Sequence, residues 1–185
     1  EAVTSLIEAH EASLREANRR LEELSRRDPL TGLFNRRHVM ERLDAELLRV
    51  RRGKELAVIM LDLDRFKRIN DETGHERGDA LLRSIARAVE GAVRGTDVVG
   101  RYGGDELVVL LPDTELDAAA LVAGRIVETV RAAGEAFDGE RPVTTSAGIA
   151  RARPEDGPLE VLRRADERAY AAKAAGGDRS MGHAA

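Results

Sequence analysis

Apolar residues recur along this chain at helical and strand spacings that alternate in blocks. Over residues 3–27, Ile7, Leu14 and Leu21 fall every seven positions, and Val3, His10, Ala17 and Leu24 form the companion set. These are a and d positions of a short heptad pattern, flanked mostly by Glu and Arg. The pattern fits an amphipathic helix lying on its own domain or a parallel coiled coil joining two chains; the coiled coil is the expectation. Pro29 and Gly32, in Asp28-Pro-Leu-Thr-Gly32, end that helix and mark a domain boundary. A second helix is predicted over Arg36–Arg51, capped by Asn35, with Val39, Leu43 and Leu47 on one face. The run Leu56–Leu61 is six residues, continuous and apolar, and reads as a buried strand. Gly78–Val93 is helical, with Leu81, Leu82, Ile85, Ala88 and Val89 inward. Asp97–Arg101 and Glu106–Leu111 are strands around a Gly103-Gly104 hairpin turn. Thr114 and Asp117 resemble a capping box that opens a helix to about Arg131. A strand over Pro142–Ala150 and a helix over Leu159–Ala175 complete the pattern. Strands and helices mix without strict βαβ alternation, which predicts an α+β domain with helices packed on an open sheet.

Composition narrows what this domain does. With 185 residues, 42% apolar and 35% charged, the chain has enough for one core and an extension. No apolar run exceeds six residues, too few to span a bilayer, so no membrane contact is expected from this segment. Thirty basic against thirty-four acidic residues leave a net charge of −4, the wrong balance for a general nucleic-acid binder. No Trp, two Tyr and three Phe give no base-stacking platform. The absence of Cys excludes disulfides and thiolate-held metals. The chain begins at Glu1 with no secretory signal pattern, so it is expected to be a cytoplasmic segment of a longer protein.

The candidate chemistry lies in two acidic stretches. Asp62 and Asp64 end the buried strand, and a period of two puts both carboxylates on one face. Asp105 and Glu106 follow the glycine pair. Carboxylates without Cys suit a hard, oxygen-seeking cation such as Mg²⁺, with Mn²⁺ as the alternative. Each stretch alone is also compatible with a solvated strand end or a plain hairpin.

Together the stretches say more. Asp28-Pro-Leu-Thr-Gly-Leu-Phe-Asn-Arg-Arg37, Asp62-Leu-Asp-Arg-Phe-Lys-Arg-Ile-Asn-Asp-Glu-Thr-Gly-His75 with Gly78-Asp79, Arg101-Tyr-Gly-Gly-Asp-Glu-Leu107, Ser146-Ala-Gly-Ile149, and Ala165-Asp166 with Tyr170-Ala-Ala-Lys173 follow in order. This set resembles the GGDEF-domain diguanylate cyclase family over residues 28–176. The resemblance implies a palm-like domain, related to polymerases and nucleotide cyclases, with a central, mostly antiparallel sheet flanked by helices. It implies a preceding coiled-coil helix at 1–27 and a tail at 177–185. It further implies condensation of two GTP into cyclic di-GMP, with loss of two pyrophosphates, between two facing copies of the chain. Asp62, the Leu63 carbonyl, Asp105 and Glu106 are then metal ligands, and Asp105, Glu106 and Lys173 the catalytic set. Backbone amides of Arg65 and Phe66, together with Lys67, meet phosphate. Gly103 and Gly104 let phosphate approach the backbone. Asn70 and Asp79 read guanine, whose N1–H and exocyclic amine suit a carboxylate acceptor. His75 matches a substrate-site position and is equally a local hydrogen-bonding residue. Arg94-Gly-Thr-Asp97 resembles the family's inhibitory RxxD site for the cyclic product, with Arg125 as a further member.

Two departures stand out. Leu107 replaces the motif's Phe, a packing change. Gly176-Gly177-Asp178 replaces the family's Gly-Arg-Asn, removing a phosphate-binding arginine; Arg179 is the candidate substitute.

Overall fold

The computed structural model describes residues 26–139 and 142–182; the heptad segment lies outside these, apart from residues 26 and 27. In chain order the elements are β1 (Phe34–Asn35), α1 (Arg36–Val50), β2 (Leu56–Asp64), α2 (Phe66–Thr73), α3 (His75–Gly91), β3 (Val98–Gly103), β4 (Glu106–Pro112), α4 (Leu116–Phe137), β5 (Thr144–Arg151), α5 (Pro158–Ala174) and β6 (Arg179–Met181). The six strands form one sheet ordered β1-β3-β4-β2-β5-β6. β2 is central and antiparallel to both β4 and β5, while the short outer strands β1 and β6 pair in parallel. This is the α+β arrangement expected, with a mostly antiparallel sheet.

Helices cover both faces, which is why β2 reads as a run rather than an alternation. Ala57, Ile59, Leu61 and Leu63 point into the layer shared with α3 and α4, where Leu81, Leu82, Ile85, Ile126 and Val130 are buried. Val58 and Met60 point the other way, against Val39, Leu43 and Leu47 of α1 and Val161 and Leu162 of α5. Each fully buried Leu or Ile contributes about 1.5–3 kcal/mol relative to exposure. This second face continues past Met60 to Asp62 and Asp64, so the apolar pattern itself delivers the acids to the α5 side.

Local signals set most element ends. Asn35 caps α1, its Oδ1 accepting the His38 amide at 2.9 Å. Pro158 opens α5, where its missing N–H is not needed. The expected capping box before α4 does not form. Glu115 is the N-cap and makes no side-chain cap bond, and the Thr114 hydroxyl donates back to the Pro112 carbonyl at 2.9 Å. α3 begins three residues before Gly78, and Ala86 rather than Ala88 is fully buried. Residues 179–181, expected within a tail, form β6, held in register by Ser146–Gly148 of β5.

Candidate active site

Asp62 lies opposite Glu106 of β4 and opposite Ser146 of β5, so the three side chains share one face. Lys173, in the last turn of α5, donates to Asp62 Oδ1 at 2.6 Å. Leu63 turns its side chain into the α3–α4 core, leaving only its backbone to the site. Asp64 differs from Asp62 despite sharing its face. It is buried and accepts from the Thr144 hydroxyl at 2.8 Å, the Ser146 hydroxyl at 2.7 Å and the Asp178 amide at 3.0 Å. With its oxygens so occupied, Asp64 is a clasp between β2, β5 and the turn after α5.

The β3–β4 turn brings Asp105 and Glu106 to the same end of the sheet. Its register slips between Arg101 and Gly103, and Gly103 pairs with Glu106. Arg101 fastens the turn: Nε and Nη2 donate to the Gly104 carbonyl at 3.0 and 2.8 Å, and Nη1 lies 3.3 Å from both oxygens of Asp28. Asp28 in turn accepts the Thr31 amide and hydroxyl at 2.8 and 2.7 Å. The opening motif is thereby joined to the acidic turn, a link that the residue spacing did not disclose.

The acids feel one another. Burial pushes the Asp105 carboxyl above its ordinary range, and the Asp62 charge adds to this against the pull of Lys173 and Arg101. Glu106 is raised first by burial, then by Asp166, Asp62 and Asp105. Lys173 is disfavoured as a cation by burial, yet the hydrogen bond and charge of Asp62, with Asp105 and Asp64 behind it, raise it overall. Asp166 had no role assigned from sequence. Its signal was its place seven residues before Lys173, two turns along the same helix face. Asp62, Asp105, Glu106 and Asp166 crowd one end of the sheet, offset by Lys173, Arg101 and Arg36. Such an oxygen donor set fits a hard divalent cation, although among the described residues no three or more such groups already converge on one ion position.

Beyond β2, Arg65 adopts a left-handed backbone (φ 63°) and starts α2. Phe66 and Ile69 anchor the helix in the core, and Lys67 is exposed. Asn70 of α2 lies against Gly78 of α3, the residue before Asp79: a Cβ at Gly78 would lie 1.8 Å from Asn70 Oδ1, so only glycine lets the amide rest there. His75 is exposed at the start of α3. A cavity of about 780 Å³ opens beside Asp64, lined among others by Arg65, Arg68, Lys173 and Gly177.

Gly177 is buried at φ +72°, and a Cβ there would stand 2.8–3.0 Å from three atoms of the Asp64 carboxyl group. Asp178 is held by Arg131 at 2.7 Å, and Arg179 Nε folds back onto the Gly177 carbonyl at 3.0 Å. Arg179 does not line the cavity.

Arg94 and Asp97 lie at the opposite end of β3, with Asp97 about 20 Å from Gly103 at strand rise. The Arg94 amide donates to Asp97 Oδ2 at 2.9 Å, while Asp97 Oδ1 is buried without a donor. Arg125 of α4 reaches the same segment through the Ala92 carbonyl at 2.8 Å.

Residues 25–179 match the family described as "Diguanylate cyclase, GGDEF domain". Diguanylate cyclase DgcP of Pseudomonas aeruginosa is 44% identical over 154 residues, covering 82% of this chain and 23% of that protein. Response regulator PleD of Caulobacter vibrioides is 40% identical, covering 88% of this chain and 37% of that protein. The chain thus spans well under half the length of these relatives. Among solved structures, diguanylate cyclase SiaD of Pseudomonas aeruginosa, in complex with its activator SiaC, superposes with a TM-score of 0.82 at 38% identity, covering 98% of this chain and 70% of that one. The coiled coil and GGDEF domain of DgcB from Caulobacter crescentus, in complex with c-di-GMP, gives 0.87 at 26% identity, covering 98% and 97%. With the ordered motifs, the sheet topology and these likenesses in agreement, the chain belongs to the GGDEF domain family.

Proposed function

We propose that this chain is a diguanylate cyclase that condenses two GTP into cyclic di-GMP and two pyrophosphates. The observation that carries the reading is the register that sets Asp62 opposite Glu106, with Asp105 adjacent and all three carboxylates electrostatically coupled. Asp62, the Leu63 carbonyl, Asp105 and Glu106 would hold Mg²⁺ or Mn²⁺. When bound, the ion would lower the pKa of the attacking 3′-hydroxyl and absorb charge on departing pyrophosphate.

The chain's own groups do the rest. Asn70 and Asp79 take the guanine edge, and their unmatched polar atoms would disfavour adenine. His75 borders that end. The first amides of α2, from Arg65 and Phe66, with Lys67 and Lys173, meet phosphate. Gly103 and Gly104 leave the turn open to it. Asp105 accepts the 3′-hydroxyl proton. The 3′ oxygen of one GTP then bonds to the α-phosphorus of the other as the α–β anhydride bond breaks. The reciprocal step closes the ring. Each copy supplies one GTP, so a homodimer through the N-terminal segment would bring two half-sites together; proximity accounts for up to about 7–11 kcal/mol of such barriers. The unsatisfied Asp97 Oδ1, with Arg94 and Arg125, supports a product-binding inhibitory site.

A second reading, a receptor for GTP or cyclic di-GMP without turnover, is favoured by one observation, the glycine at 177. Product analysis after incubation with GTP and Mg²⁺ decides. Cyclic di-GMP with two equivalents of pyrophosphate is expected; nucleotide binding without product would replace the cyclase with the receptor.

A further inference from the structure

We propose that Arg68, which lies outside every residue assigned above to metal, guanine or phosphate, is a further side-chain cation that grips the polyphosphate end of the substrate, beside Lys67 and Lys173. The inference rests on the reading of the site as a GTP site and deepens it.

The cavity beside Asp64 is lined by two acids: Asp64, which accepts from two hydroxyls and an amide, and Asp178, whose Oδ2 accepts from Arg131 while its Oδ1 is buried without a hydrogen-bond partner. Its cations are Arg65, Arg68 and Lys173. Lys173 is shared with Asp62 at 2.6 Å. Position 177 offers no charge and cannot readily host one, since its Cβ would strike the Asp64 carboxylate. Arg179 is turned onto the Gly177 carbonyl. The remaining charge comes from α2.

α2 has two polar stripes. Phe66 and Ile69 face the core, and Lys67 and Asn70, three apart, lie on the side of the guanine corner. Arg65, Arg68 and Glu72 follow at spacings of three and four and share the other side. Arg68 Nε pairs with Glu72 Oε1 at 3.5 Å, beyond good hydrogen-bond length, and is buried without a hydrogen-bond partner, while the side chain as a whole is 40% exposed. A half-exposed guanidinium that is only loosely paired, lining a cavity next to the Asp62–Lys173 pair, is suited to fork a phosphate. α2 would then add a phosphate-binding cation on the stripe next to the one that carries Lys67 and Asn70.

The test uses the whole chain with inorganic tripolyphosphate and Mg²⁺ in calorimetry, alongside steady-state turnover of GTP. Removing one charge-assisted bond at a half-exposed site is expected to cost about tenfold. Arg68→Gln should weaken tripolyphosphate about tenfold and raise KM for GTP similarly, with kcat within about twofold. Arg68→Lys should fall between. Glu72→Gln removes the ion pair without touching Arg68 and should leave tripolyphosphate binding intact or tighter. Equal losses in Arg68→Gln and Glu72→Gln would reduce Arg68 to a helix-stabilising residue and overturn the assignment. So would unchanged tripolyphosphate binding in Arg68→Gln while product still forms. If no cyclic product forms at all but the Arg68 dependence persists, the cyclase reading fails and the phosphate grip stands.

Discussion

Restoring the family's arginine by Gly177→Arg is predicted to damage this protein rather than improve it. A left-handed backbone costs a residue with a Cβ about 1–2 kcal/mol, and position 177 sits at φ +72°. The new Cβ would stand 2.8 Å from Asp64 Oδ2 and 2.9 Å from its Cγ, inside contact distance with a carboxylate fixed by three donors. Overpacking of this kind costs about 1–3 kcal/mol. Taken together the loss is about 2–5 kcal/mol. For a domain of this size each kcal/mol moves Tm by about 2–4 °C, so Tm should fall by roughly 5–20 °C. Thermal unfolding followed by circular dichroism reads this directly. Gly177→Ala is the control, because it adds the Cβ without the charge and should account for most of the drop. GTP affinity, measured by calorimetry on the folded fraction, should not improve. A Gly177→Arg protein with unchanged Tm and tighter GTP binding would refute the reasoning, and would mean that the turn re-forms around the new side chain without penalty.

Other expectations follow from charge. Glu106 is kept above the ordinary carboxylate range by burial and by Asp166, Asp62 and Asp105, so its ionised form opposes folding. Glu106→Gln should abolish cyclic di-GMP formation yet leave Tm unchanged or higher; a clear drop in Tm would contradict the crowding of acids. Burial pushes Asp156 up, but the Arg164 fork at 2.5 and 2.7 Å and the Arg153 amide at 2.7 Å outweigh it and hold the carboxyl below 3.8. Its stabilisation is therefore present above that value and lost as pH falls through the lower folded value. Arg164→Ala, which strands a buried carboxylate, should cost about 3–5 kcal/mol at neutral pH, and Asp156→Asn should flatten the acid limb of a Tm–pH curve. An acid limb unchanged in Asp156→Asn would rule the pair out as its source. Cyclic di-GMP should slow the wild type, and Arg94→Ala should continue turning over at the same product concentration; equal inhibition of both would remove the RxxD site.

The sequence disclosed what periodicity and short motifs encode. The β2 run, the helix faces of α1 and α5, the Asn35 cap and the acids at 62, 105 and 106 all have local signals, and the structure brings those acids to one end of the sheet. What it did not disclose is mostly non-local. The two-residue β1 exists only through its pairing with Gly100 and Arg101. β6 forms because β5 offers an edge, not because Arg179-Ser-Met181 alternates. Thr114 and Asp117 had the spacing of a capping box, but the Pro112 carbonyl captured the hydroxyl. Asp62 and Asp64 looked equivalent two residues apart. Their difference comes from Thr144 and Ser146, eighty residues on, which surround only one of them.

Arg101 has a consequence for how signals can enter this molecule. One planar guanidinium grips both the chain where it leaves residue 28 and the carbonyl immediately before Asp105. Asp28 stands 73 positions before Arg101, and the guanidinium links it to the Gly104 carbonyl as the two ends of a single strut. A displacement of residue 28 would therefore have a direct route to the acidic turn through this one side chain, outside the packed interior.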